Sequence, residues 1–168
     1  MKTVSLSSNQ IITLNDYPIQ HKDIMMKYYT KCRAGQKIPF IPVIKKDKVK
    51  KYLNNRLLKE FKKFELKNKK AKYFMLDGSH RTTALTLAGC KIAVIIYETD
   101  NNIKEAKKLI ATGQVRKSGT LRYNLEENCK ILNEHFSKKP YFMTVKQKTE
   151  KMINEKLLPK FIISCVGP

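Results

Sequence analysis

The spacing of apolar residues changes several times along the chain, and each change marks an element. Residues 3–14 alternate loosely between apolar and polar side chains, which predicts a strand near Ile11-Ile12-Thr13-Leu14. Asn15 and Asp16 follow as a turn or cap before Tyr17-Pro18. Over 22–33, Ile24, Met25, Tyr28, Tyr29 and Cys32 share one helical face. Asp23 lies in the first turn, where negative charge suits the helix dipole, and Gly35 supplies a stop. The prolines of Ile38-Pro39-Phe40-Ile41-Pro42-Val43-Ile44 exclude a helix and predict a strand near a sheet edge. A helix is predicted over 47–67, with Val49, Leu53, Leu57, Leu58, Phe61 and Phe64 at three- and four-residue steps. Its other face is almost wholly lysine and asparagine. Residues 71–76 read as a buried strand, 79–88 as a helix stopped by Gly89, and 92–97 as the next strand. Thr99-Asp100-Asn101 caps a helix over 103–111, and Pro140 separates two further helices, 125–136 and 145–157. The apolar stretch 161–166 reads as a last strand or a docked tail.

This order of elements predicts an α/β (α+β) fold: a small mixed sheet with surrounding helices. One domain is the natural reading of 168 residues. It divides into a sheet-bearing part, 1–115, with a lysine-rich helical insertion at 47–70, and a helical extension, 116–168. No apolar run approaches a membrane span, and the N-terminus lacks a signal-peptide core, so a cytoplasmic protein is expected. Cys32, Cys90, Cys129 and Cys165 are far apart and form no CxxC, which argues against a zinc site or a disulfide framework.

The net charge of +21 widens the functional question. Charge of this size attracts polyanions such as nucleic acids, nucleotides or acidic surfaces. Nearly all of the excess is lysine, which offers point charge rather than the paired donors of arginine. Lys59, Lys62 and Lys63 on the predicted 47–67 helix suit either a solvated face or contacts to nucleic-acid phosphates.

The densest chemistry lies in Asp77-Gly78-Ser79-His80-Arg81-Thr82-Thr83, between the predicted strand and helix. Gly78 permits a tight turn and close backbone approach. The residues after it open a helix, whose free N–H groups make a phosphate site. Arg81 offers paired donors, Ser79, Thr82 and Thr83 offer hydroxyls, and His80 can donate to phosphate or carry a proton. Asp77 suits Mg²⁺, a pairing with Arg81, or acceptance of a substrate proton. The same residues also fit a capped helix, with Asp77 or Ser79 as N-cap, Arg81 in a surface salt bridge and His80 satisfied in the core. The loop Arg116-Lys117-Ser118, between Gly113 and Gly119, reads as a flexible turn or a second anion contact. His21 and His135 stand isolated in the sequence.

Three stretches together resemble the ParB/sulfiredoxin superfamily: Ile41-Pro42-Val43-Ile44, Tyr73 through Asp77-Gly78-Ser79-His80-Arg81 to Leu85, and Ala88-Gly89-Cys90-Lys91-Ile92-Ala93-Val94. The resemblance spans roughly residues 10–115. It implies the superfamily's nucleotide-binding fold and a phosphate site at 77–83. Sulfiredoxins carry a catalytic cysteine where this chain has Ser79, so the resemblance does not extend to their thiol chemistry. ParB-type relatives bind CTP and DNA, and some members are nucleases. The turn is most similar to the Asp-Gly-His-His-Arg of free-serine kinases. That likeness implies a nucleotide (ATP, ADP or CTP), Mg²⁺, a small hydroxyl substrate, and Asp77 and His80 as catalytic residues. Those kinases also use an acid from the N-terminal segment, for which Asp16 and Asp23 are the candidates here.

Overall fold

The computed structural model of the chain describes residues 2–17, 19, 21–117, 121–122 and 124–158. Among them, strands β1 (Thr3–Leu6), β2 (Ile11–Ile12), β3 (Ile41–Lys45), β4 (Tyr73–Met75) and β5 (Ile92–Ile96) form one sheet in the order β1-β5-β3-β4-β2. β1 is antiparallel to β5, β5 parallel to β3, β3 antiparallel to β4, and β4 parallel to β2. The helices are α1 (Lys22–Arg33), α2 (Lys46–Lys50), α3 (Asn55–Lys67), α4 (Ser79–Leu87), α5 (Asp100–Lys108), α6 (Leu125–Lys138) and α7 (Val145–Asn154). The fold is the expected mixed α+β arrangement. No helix among the described residues is long and apolar enough to cross a membrane.

Alternation along the strands places apolar side chains on both faces of the sheet. Ile11, Ile41, Val43, Met75, Ile92, Val94 and Ile96 pack on one face with Leu85 of α4. Ile12, Ile44, Phe74, Leu76, Ile95 and Tyr97 pack on the other, under side chains of α2, α3, α5 and α6. An aromatic cluster of Phe61, Phe64, Phe74, Phe136 and Phe142 ties these layers together, with neighbouring ring centroids 4.7–6.2 Å apart. A third cluster joins Met25, Tyr28 and Tyr29 of α1 to Ala84 and Leu87 of α4 and Met152 of α7. The C-terminal helices therefore complete the core.

Several elements depart from the reading of the sequence. The 38–44 strand is not at an edge: β3 lies between β5 and β4. Pro42 is tolerated there because its carbonyl still accepts from the Leu76 N–H (2.9 Å), just past the end of β4. Lacking an N–H, it offers β4 no further rung, and the chain turns away at Asp77-Gly78. The predicted helix over 47–67 is two, α2 and α3. Asn54 separates them as the N-cap of α3, its side chain accepting from the Leu57 N–H (2.9 Å). The apolar face expected of this basic stretch is packed into the core, with Val49, Leu57 and Phe61 fully buried. β4 and β5 run in opposite directions with β3 between them, which explains a linking helix shorter than that of a parallel crossover. β1 is a separate strand before β2. The stretch 161–166 and Ser118, Gly119 and Cys165 lie outside the described residues.

Candidate functional site

The register of the sheet assembles the site. β2 pairs parallel with β4 through Ile11↔Tyr73 and Ile12↔Phe74. The segments that follow them therefore leave the sheet at the same end. Leu14 and Asp16 meet Asp77, Gly78, Ser79, His80 and Arg81 around a cavity of about 200 Å³. The beginning of β3 lies at that end too. Phe40 forms a parallel bridge with Val115, its N–H donating to the Gln114 carbonyl (2.9 Å). That bridge delivers the exposed Arg116 to the cavity lining.

Gly78 is the N-cap of α4, with φ +112° and ψ 32°, and no side chain caps this helix end. A Cβ at this position would lie 2.6 Å from Ile41 Cδ1 and 3.2 Å from Arg81 Nη2. Only glycine suits both the positive φ and the close approach. The first backbone N–H groups of α4, at Ser79, His80 and Arg81, belong to a helix N-terminus beside the cavity.

Arg81 is 1% exposed and is among the largest fully buried side chains of the protein. Its Nη1 donates to the carbonyls of Pro39 and Phe40, both at 3.1 Å, and its Nη2 pairs with Asp77 Oδ2 at 2.9 Å. Burial works against the guanidinium charge, and Asp77 offsets it. Arg81 thus fastens the entry of β3 to the turn and keeps Nε as its unpartnered donor. Asp77 stays a quarter exposed. It also helps push the buried Tyr97 hydroxyl up to about 12, after the larger effect of burial.

Four polar atoms in this turn are buried with no hydrogen-bond partner: Ser79 Oγ, His80 Nε2, Arg81 Nε and Thr83 Oγ1. An unsatisfied buried group costs about 1–3 kcal/mol, so such a cluster suits a place where a ligand or ordered water completes the bonding. The His80 imidazole is held below its ordinary value by burial. Asp16 opposes that shift, and His21, Lys148 and Arg116 add to it. His21 is not isolated, for its ring centroid is 6.0 Å from that of His80.

Asp16 is anchored from behind. Lys148 of α7, 0% exposed, pairs with Asp16 and reaches Thr13 Oγ1 at 3.4 Å. Burial lowers the Lys148 pKa, and Asp16 counters it. His135 accepts from the Asn15 N–H at 2.7 Å and so fixes the same segment. Lys148 carries no signal in the sequence, where it is one lysine among many on an amphipathic helix.

Other expected residues stay away from the cavity. Thr82 Oγ1 donates to the Gly78 carbonyl (2.8 Å), inside its own helix. Neither Thr82 nor Thr83 lines the cavity. Asp23 is exposed in the first turn of α1 and is also not among the lining residues. Lys59, Lys62 and Lys63 are exposed on α3. Among the described residues, no group of three or more His, Cys, Asp or Glu is placed to hold a metal. Asp16 and Asp77 do face one cavity, and Mg²⁺ is commonly held by one or two carboxylates together with substrate phosphates. Comparison of the chain with protein-family models, curated proteins and solved structures gave no match.

Proposed function

We propose that this cavity binds the phosphates of a nucleotide, and that the protein is a nucleotide-dependent phosphotransferase acting on a small hydroxyl compound such as free serine. The observation that carries the reading is the set of unpartnered buried polar atoms of Ser79, His80 and Arg81 at the start of α4, beside a cavity edged by Arg116. Helix N–H groups, a hydroxyl and a guanidinium are the donors a phosphate requires. The likeness of the turn to that of free-serine kinases supports the same chemistry.

The cavity is smaller than the roughly 300–1,000 Å³ of pockets that enclose drug-sized ligands. It takes phosphoryl groups and an acceptor hydroxyl, and leaves base and sugar over the surface. In this reading Ser79, the α4 N–H groups and Arg116 hold the phosphates. His80, neutral at physiological pH, hydrogen-bonds the transferring group. Asp16, anchored by Lys148, accepts the proton of the substrate hydroxyl, while Asp77 keeps Arg81 in place and leaves a carboxylate edge free. Bound Mg²⁺, held by the free edge of Asp77 and by phosphate oxygens, would supply charge neutralisation. Phosphoryl transfer needs chiefly positioning and charge stabilisation, which this set of residues offers.

A thermal-shift panel of ATP, ADP and CTP, with and without Mg²⁺, tests the reading. A nucleotide at about 100 times its Kd stabilises by roughly 2.7 kcal/mol, a rise of about 5–10 °C for a chain of this size. Arg116→Ala should lose most of that rise. No shift with any nucleotide, or a full shift in Arg116→Ala, refutes the phosphate site. Turnover stimulated by free serine and lost in Asp16→Asn then tests the transferase.

A second reading rests on a different surface. Lys63, Lys67 and Lys151 surround a groove of about 550 Å³ between α3 and the segment before α7, with Tyr141 59% exposed beside it. Lysines flanking an open aromatic ring suit nucleic-acid backbone and base stacking. This favours a ParB-like, DNA-associated protein with CTP binding or nuclease activity. Its mark is DNA affinity that falls steeply with salt and weakens when the groove lysines Lys63, Lys67 and Lys151 are neutralised.

A further inference from the structure

Cys32 and Cys90 are 58 positions apart, yet their Sγ atoms lie 2.8 Å from one another. Cys32 is in the last turn of α1, and Cys90 follows Gly89 in the turn between α4 and β5. Their separation exceeds a sulfur–sulfur bond by only about 0.8 Å. Both are free thiols, Cys32 half-buried and Cys90 exposed.

We propose that Cys32 and Cys90 form a reversible disulfide, a modification site that takes a hydroperoxide as oxidant and a dithiol as reductant. The inference is independent of the phosphate site. The two sulfurs have different parts. Cys32 lies in direct contact with Cys90, and its thiol is pushed up to about 12, first by burial and then by Cys90. Cys32 therefore stays protonated, and the exposed Cys90 is the sulfur that a solvent oxidant reaches. The Cys90 thiolate attacks the hydroperoxide, taking one oxygen and releasing an alcohol, or water when the oxidant is hydrogen peroxide. The resulting sulfenic acid condenses with the Cys32 thiol, forming the S–S bond and releasing water. The two thiols together lose two electrons and two protons, and the peroxide O–O bond is reduced. A dithiol restores both thiols by exchange and leaves as its own disulfide. The bond would join the end of α1 to the end of α4, two helices that already share an apolar cluster.

The test uses the full chain, treated with a small excess of hydrogen peroxide, then denatured and alkylated with N-ethylmaleimide. Of the four cysteines, the reduced protein takes four adducts and the oxidised protein two. Tryptic mapping should find the Cys32–Cys90 cross-linked peptide, and dithiothreitol should restore four adducts. Cys32→Ser should remove the cross-link and let Cys90 advance to sulfinic acid. Cys90→Ser, on an exposed turn, should block the bond without disturbing α1. Four adducts after peroxide, or a bond joining Cys90 to Cys129, Cys165 or a second chain, would overturn the proposal.

Discussion

Arg81 and Arg116 border one cavity but answer to different demands. Arg81 directs Nη1 at two β3-side carbonyls and Nη2 at Asp77, with almost no exposure. Arg81→Ala removes charge-assisted bonds from two carbonyls and leaves a void, at a cost on the order of 3 kcal/mol, measurable by urea unfolding. Lysine should not rescue it, because one ammonium cannot reproduce the planar fork. Arg116 is exposed, so Arg116→Ala should change stability by no more than about 0.5 kcal/mol while removing nucleotide-induced stabilisation. Gly78→Ala forces a Cβ into Ile41 at a φ of +112° and should cost roughly 2–4 kcal/mol, with the purified protein showing a lowered Tm. The sequence displays Asp77, Gly78, His80 and Arg81 as a set. Pairing of Arg81 with Asp77 is among its readings, but the bonds of Arg81 to the Pro39 and Phe40 carbonyls are not, because those residues approach it only through the sheet.

At the scale of elements, local patterns were readable and non-local ones were not. The α1 helix follows directly from Met25, Tyr28 and Tyr29, and the strand–turn–helix around Gly78 from its own residues. The central place of β3 was hidden because Pro42 is an edge signal, and only the departure of β4 at Leu76 makes it tolerable in the interior. Asp16 was a candidate acid without an evident position. Its place comes from the parallel pairing of β2 with β4, which no spacing along the chain encodes. The break between α2 and α3 was legible in principle at Asn54, a favoured N-cap residue. Asn54→Ala should destabilise by about 1–2 kcal/mol, since it also loses the Nδ2 bond to Ser137 (3.1 Å). A chemical-denaturation midpoint equal to that of the native chain would contradict this role.

For the whole molecule, pH is an informative variable. Burial is the leading cause that holds both His80 and His135 below the ordinary imidazole value of 6.5. The unfolded chain therefore takes up these protons first as pH falls. Stability from this source is complete above about pH 6.5 and declines below it, until the folded imidazoles also protonate. Protonated His135 can no longer accept from Asn15, so acid should loosen the segment bearing Asp16. Urea unfolding between pH 5 and 7.5 should show the decline, and His80→Gln with His135→Gln should flatten it. An unchanged slope in the double variant would assign the decline to other groups. The buried pair of Lys148 and Asp16 has a different consequence. Its partners are 132 positions apart. During synthesis the five described strands emerge from the ribosome before α7, and over that interval Asp16 lacks its cation. A nascent chain thus carries the turn at Gly78 early, yet acquires a finished site only once α7 is free to dock.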